Sequence, residues 1–251
     1  MKKEYLERRS YQTDLTDGQW AVIEPLFGNM RKLMNAVLYL VDSGCKWRQL
    51  PHDFPPYSTV HSFYRRARLS GLWDKLPELL VKTTRQNAGR TEKPTYSLID
   101  SQSVKTAYAS EQTGFDGKKT KGRKRHTVTD TLGCLFSVIV YKANQHDTKI
   151  GYWVAALAIF CYSTIKRFCA DRGYRGAFVS NLNQLFGLGV DISEKIIPKG
   201  WKVEPKRWVV EKTFAWLNNS RRLSKYYEIL TCYYSEAMIK ISHCHTLLKR
   251  L

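Results

Sequence analysis

Apolar positions along the chain recur with two different periods, and the change between them divides the sequence. From Thr16 onward, Trp20, Ile23 and Leu26/Phe27 repeat three and four apart, which predicts a helix opened by the capping box Thr16–Gln19. Leu33, Met34, Val37, Leu38 and Val41 predict a second helix, with Gly44 placed to end it. Lys46 to Pro51 reads as a short helical turn before Pro51, Pro55 and Pro56 break the pattern. Ser58 is the expected cap of a third helix, Thr59 to Leu69. In it Val60, Phe63, Tyr64 and Ala67 face inward and His61, Ser62, Arg65, Arg66 and Arg68 face out. Leu76, Leu79 and Leu80 continue a packing helix, and Gln86 to Pro94 reads as a linker.

Past the linker the period shortens to that of strands. Tyr96 to Asp100 is an apolar run expected to end on Asp100 and pass into Ser101, Ser103 and Thr106. A polar, glycine-punctuated loop is expected from Ser110 to Arg125. His126–Asp130 and Cys134–Tyr141, split by Thr131–Gly133, form a hairpin pattern. Trp153 to Tyr162 is about half a membrane span and reads as a buried helix. Thr164 to Ala170 closes on Asp171, with Gly173 and Gly176 marking a turn. A helix near Ala177–Leu185 and a strand near Val190–Ile197 follow. Trp208, Glu211 and Phe214/Ala215 set a further helix running to Arg221–Arg222, and Ala237, Met238, Ile241, Leu247 and Leu248 set the last. The expected organisation is a small all-α domain over 1–92 and a mixed α/β domain over 93–251.

Composition fits a folded chain: 251 residues, 43% hydrophobic and 13% aromatic. Charge adds more, since 41 Lys+Arg against 22 Asp+Glu give +19 and a pI near 9.7, a field that attracts a polyanion. Nucleic acid is the leading partner, with a ribosomal or membrane surface as alternatives. The third predicted helix, with its basic outer face, suits the reading helix of a helix-turn-helix unit and equally a bundle with a solvated arginine face. Lys118, Lys119, Lys121, Arg123, Lys124 and Arg125 form a dense basic run next to the Asp100 strand. Six cysteines without a C-x-x-C pair fit a reducing compartment better than a disulfide framework. His243-Cys244-His245 is a poor zinc motif, because adjacent helical residues point to different faces. Neither a signal peptide nor a membrane span is expected.

Three acids stand in settings that suggest chemistry. Asp100 and Asp171 are expected at strand ends, and Glu211 on or beside the packed face of a helix, where an acid needs a partner or a metal. Carboxylate oxygens are the hard ligands Mg²⁺ prefers, and two such ions can hold the attacking and leaving oxygens of a phosphoryl transfer. Singly the signals are weak, since Asp ends many strands by starting turns.

Four ordered stretches change that weight: Leu98-Ile-Asp-Ser-Gln-Ser-Val-Lys-Thr106, Gly122-Arg-Lys-Arg-His126, Ala170-Asp-Arg-Gly-Tyr-Arg-Gly176 and Arg207-Trp-Val-Val-Glu-Lys-Thr-Phe-Ala-Trp-Leu217. Together they resemble the DDE transposases of bacterial insertion sequences, most like the IS5 group of the IS4-like family. Ser43 to Thr59 resembles that group's leading domain. The resemblance implies an RNase H-like catalytic domain with a mixed central sheet after a helix-turn-helix-like one. It also implies Asp100, Asp171 and Glu211 as a catalytic triad holding Mg²⁺ (or Mn²⁺), with two ions expected. The implied activity is metal-dependent cleavage and strand transfer at the element's ends, by a homodimer in a synaptic complex with double-stranded DNA, in the cytoplasm at the nucleoid. The expected DNA-facing set is Arg65, Arg66, Arg68, Lys118, Lys119, Lys121, Arg123, Lys124, Arg125, Arg175, Arg207, Arg221 and Arg222. The alternative is a DNA-binding protein or regulator of the same descent that does not cut. The chain departs from the pattern in the short Phe27–Lys32 connection, in Glu204 where a Tyr precedes Arg207, and in Asn218–Asn219 where a basic residue follows the Glu.

Overall fold

The computed structural model describes residues 10–193, 207–229 and 231–251. Four helices come first: α1 (Asp17–Phe27), α2 (Arg31–Ser43), α3 (Tyr57–Leu69) and α4 (Leu72–Asn87). The capping box at Thr16 forms as expected, and Gly44 ends α2 in a left-handed conformation. A 3₁₀ turn at Trp47–Gln49 precedes the prolines. The expected cap at Ser58 is corrected: α3 starts at Tyr57 with Pro56 at its N-cap, because the proline φ presets the entry and leaves Ser58 inside the helix.

The mixed sheet contains β1 (Tyr96–Lys105), β2 (Gly114–Phe115), β3 (Lys121–Thr129), β4 (Leu135–Lys142), β5 (Arg167–Ala170) and β6 (Gly189–Ile192). β3 pairs antiparallel with β1 on one side and with β4 and the short β2 on the other, while β1, β5 and β6 run parallel. Three antiparallel strands, a crossing helix α5 (Asp147–Cys161) and then a parallel strand are the RNase H-like order. The helices α6 (Ala177–Phe186), α7 (Arg207–Asn219), the short α8 (Arg221–Ser224) and α9 (Cys232–Leu248) complete the fold.

The sheet differs from expectation in several places, and β2 lies inside the expected Ser110–Arg125 loop. β1 continues five residues past Asp100, because Ser101 to Lys105 pair with His126 to Gly122. The basic run is correspondingly not a loop: Lys121 to Arg125 are the first half of β3. β6 ends at Ile192, and the expected strand beyond Ser193 falls outside the described residues. The apolar helix also differs, since α5 buries Gly151, Val154, Ala155 and Ala158 and turns Trp153, Leu157 and Phe160 outward. One hydrophobic core runs through both halves of the chain, with α4 and α2 packed on α9.

Candidate active site

The strands place two of the acids. β1 and β5 pair Tyr96 with Arg167 through Leu98 with Cys169; Asp100 stands two residues beyond the last pair on β1, and Asp171 two beyond it on the other chain segment, just past the end of β5. Alternation puts both on the face that also carries Leu98 and Cys169. Asp100 is half-buried and its Oδ1 accepts from the Ser101 N–H at 2.7 Å. Asp171 is half-buried too, with extended backbone, and its Oδ1 caps the 3₁₀ turn Arg172–Tyr174 by accepting from the Gly173 N–H at 2.9 Å.

The helix α7 covers that same face. Gln102, two residues after Asp100, accepts from the guanidinium of Arg125 at 2.8 Å, and the same guanidinium donates to Asn218 Oδ1 at 2.6 Å. Phe214 lies under the Arg125 guanidinium, 5.7 Å from its centre. Glu211 precedes Phe214 by three and Asn218 by seven, so it lies on the stripe of α7 that faces β1, one end further along and exposed. All three acids thus lie on one side of the sheet. Among the described residues no three His, Cys, Asp or Glu side chains are already grouped to hold a metal ion. The donor chemistry nevertheless suits a hard cation: carboxylate oxygens only, two of them set by strand register and the third on a helix exposed beside them.

Below the acids, on the opposite face, runs a buried polar chain that joins His126 and Tyr174, from two of the quoted stretches, to Tyr141, Asp147 and Lys124. Tyr174 meets His126 Nε2 at 2.6 Å, His126 Nδ1 meets the Tyr141 hydroxyl at 3.2 Å, and Tyr141 donates to Asp147 Oδ1 at 2.9 Å. Lys124 Nζ closes it on Asp147 at 2.9 Å. Burial pushes the Tyr174 hydroxyl well above its ordinary pKa, and the charges of Asp100, Asp147 and Asp171 push it in the same direction.

Residues 15–77 match a family described as putative transposase of IS4/5 family, and residues 91–231 match the family described as transposase DDE domain. The chain belongs to the DDE transposases of the IS4/5 family. A search of curated proteins gives no match.

In this transposase the expected DNA-facing residues separate by burial. Arg123 and Arg125 are fully buried: Arg123 donates to the carbonyls of Glu111 and Glu228 and to Ser235, and Arg125 to Gln102, Asn218 and the Leu223 carbonyl. Arg222 is buried as well, paired with Glu228 at 2.8 Å and donating to the Cys45 carbonyl. These three are corrected from DNA contacts to internal ties, since a strand alternates its faces and β3 turns Arg123 and Arg125 inward. Lys124 is held by Asp147, and Arg68 lies 4.3 Å from the Tyr234 ring on α9, so both are committed within the protein. Arg65, Arg66, Lys118, Lys119, Lys121, Arg175 and Arg221 are exposed. The side chain of Arg207 lies outside the described residues.

On α7, Asn218 accepts from the guanidinium that Arg125 brings across from β3. No helix among the described residues is long and apolar enough to cross a membrane.

Proposed function

We propose that this transposase binds the ends of its own insertion sequence through residues 1–92 and cuts and joins strands through residues 93–251, with Asp100, Asp171 and Glu211 as its catalytic acids. The observation that supports this reading is the parallel pairing of β1 with β5, after which Asp100 and Asp171 follow at the same offset, with α7, the helix of Glu211, tied to β3 through Arg125 and Asn218. A divalent cation, Mg²⁺ or Mn²⁺ and in the two-ion form a pair, supplies Lewis-acid activation of the phosphodiester and of its attacking water. The chain's own part is to present carboxylates on rigid strand ends, with Glu211 approaching from the helix as repulsion between the acids is relieved. Lys118, Lys119 and Lys121 at the β2–β3 turn, with Arg175 and Arg221, contact phosphates; Arg65 and Arg66 on α3 reach the groove. Joining two ends requires both in one assembly, so the working form is a homodimer in a synaptic complex, and its place is the nucleoid in the cytoplasm.

One observation favours the alternative of end binding without cutting: no three acids are preassembled among the described residues. The test uses a duplex carrying the element's terminal repeat, with and without Mg²⁺. Wild type is expected to nick and join the duplex only with metal. Metal is also expected to stabilise the protein, by about 2.7 kcal/mol at a hundred times its dissociation constant. Asp100→Asn should lose both effects while binding the duplex in chelator as tightly as wild type. Metal-independent stability and intact DNA in the wild type would establish the alternative.

A further inference from the structure

The segment after Asp171 is anchored by one buried aromatic. Past Ala170 the chain makes no further ladder bond to β1, so the far end of the acid turn is held by Tyr174, whose N–H closes the turn on the Asp171 carbonyl at 3.1 Å. The Tyr174 ring fits among His126 on β3, Gly151 on α5 and Phe178 on α6, with ring centres 5.6 Å from His126 and 5.1 Å from Phe178. A Cβ at Gly151 would stand 2.9 Å from the Tyr174 ring, so no side chain but hydrogen fits there.

Donor and acceptor chemistry orders the hydrogen bonds from Asp147 to Tyr174 in the chain beneath. Although burial opposes it, the donors Lys124 and Tyr141 hold the Asp147 carboxyl below the usual range, and an ionised carboxylate only accepts. Tyr141 therefore gives Asp147 its proton, and its oxygen accepts from Nδ1–H of His126. His126 is neutral, since burial pulls its pKa down to about 3, so Nε2 keeps its lone pair and takes the proton of Tyr174. Lys124, Asp147, Tyr141, His126 and Tyr174 form one rigid line from α5 to the acid turn.

We infer that His126 and Tyr174 are a positioning pair for Asp171, setting its carboxylate beside Asp100 and thereby the affinity of the acids for a divalent cation, without contact with DNA. The inference rests on the reading of Asp100 and Asp171 as metal ligands. The test is a Mn²⁺ titration of the full chain on a terminal-repeat duplex, with free Mn²⁺ counted by electron paramagnetic resonance and strand cleavage followed in parallel. Tyr174→Phe removes only the hydroxyl and should raise the half-saturating Mn²⁺ about tenfold in both readouts, as loss of a partner behind a metal ligand does. Cleavage should recover at saturating Mn²⁺, and duplex affinity in chelator should match wild type. His126→Gln, whose amide oxygen still accepts from Tyr174, should stay near wild type, whereas His126→Leu should follow Tyr174→Phe. A lowered melting temperature with unchanged Mn²⁺ half-saturation would reduce the pair to packing and overturn the inference alone. A wild type that binds no Mn²⁺ would overturn both the inference and the reading beneath it.

Discussion

Single residues show where charge and burial part company. The run Lys118 to Arg125 reads as a polyanion-binding segment by charge, but from Lys121 on, pairing within β3 sends its residues alternately to two faces. Arg123 and Arg125 go inward with every guanidinium nitrogen engaged, and Gly122 passes so close to the Val104 carbonyl that a Cβ there would clash with it. Arg125→Ala would leave the oxygens of Gln102 and Asn218 without their donor and remove packing over Phe214, costing about 3 kcal/mol in urea unfolding. The salt dependence of DNA affinity should not change with it. Replacing Lys118, Lys119 and Lys121 with Ala should do the reverse: stability within about 0.5 kcal/mol of wild type, and a salt slope flatter by up to about one unit per lost contact. A flattened slope in Arg125→Ala would return that guanidinium to the DNA surface. The acids were legible because short motifs name them. The pairing beneath them was not: Tyr174 and His126 each fall in one of the ordered stretches, but they lie 48 positions apart and only the fold makes them neighbours.

At the scale of elements, type and order were readable and extent was not. The helices α1, α2 and α4 and the β3–β4 hairpin follow from apolar period and turn residues. The sequence pattern of β1 stops at Asp100 because Ser, Gln and Ser carry no strand signal of their own; the ladder to β3 supplies it. The apolar run of α5 predicts burial because a helix lined with Ala, Leu and Ile gives no polar face to orient it, yet Phe160 is 88% exposed. In α9 the motif His243-Cys244-His245 is core. His243 Nε2 accepts from the Leu135 N–H at 2.9 Å, so the helix satisfies an outer strand. Burial, with Arg250 adding, pulls His243 to about 3, and burial with Lys249 pulls His245 to about 4. Both lie below the imidazole value of about 6.5, so the unfolded chain takes protons that the folded one refuses. Their contribution is complete above about pH 6.5 and falls as pH drops towards 4 and 3, by up to about 1.4 kcal/mol per pH unit for each. His243→Gln keeps an acceptor for Leu135 and does not titrate. Urea unfolding at about pH 7 and about pH 5 should therefore show a smaller loss in this variant than in wild type, and an equal loss would assign the acid sensitivity elsewhere.

The whole molecule is joined more tightly than a linker reading of residues 86–94 suggests. Gln19 donates to the Leu248 carbonyl at 3.0 Å, Tyr64 to the Tyr234 carbonyl at 3.4 Å, and Arg222 to the Cys45 carbonyl at 2.9 Å, each across the expected boundary. The deepest tie is Arg85 on α4 with Asp130 at the end of β3, 2.5 Å apart and out of solvent. Asp130 also accepts from the Leu132 and Cys134 N–H groups at 2.8 Å each, so the ion pair holds the β3–β4 turn against the helical half. Sequence periodicity could not show this, because each half has an apolar pattern sufficient for its own elements while the partner of each face lies in the other half. The full chain is accordingly expected to unfold in one cooperative transition. Residues 93–251 alone, with the α9 face bare where α2 and α4 pack, should not give a folded, monomeric product. Asp130→Asn keeps the shape of the turn but leaves a buried guanidinium uncompensated, which should cost about 3 kcal/mol and lower the single melting transition without splitting it. Two separate transitions in calorimetry, or a stable monomeric 93–251 fragment, would show that the halves fold independently and that the shared core is only a contact between them.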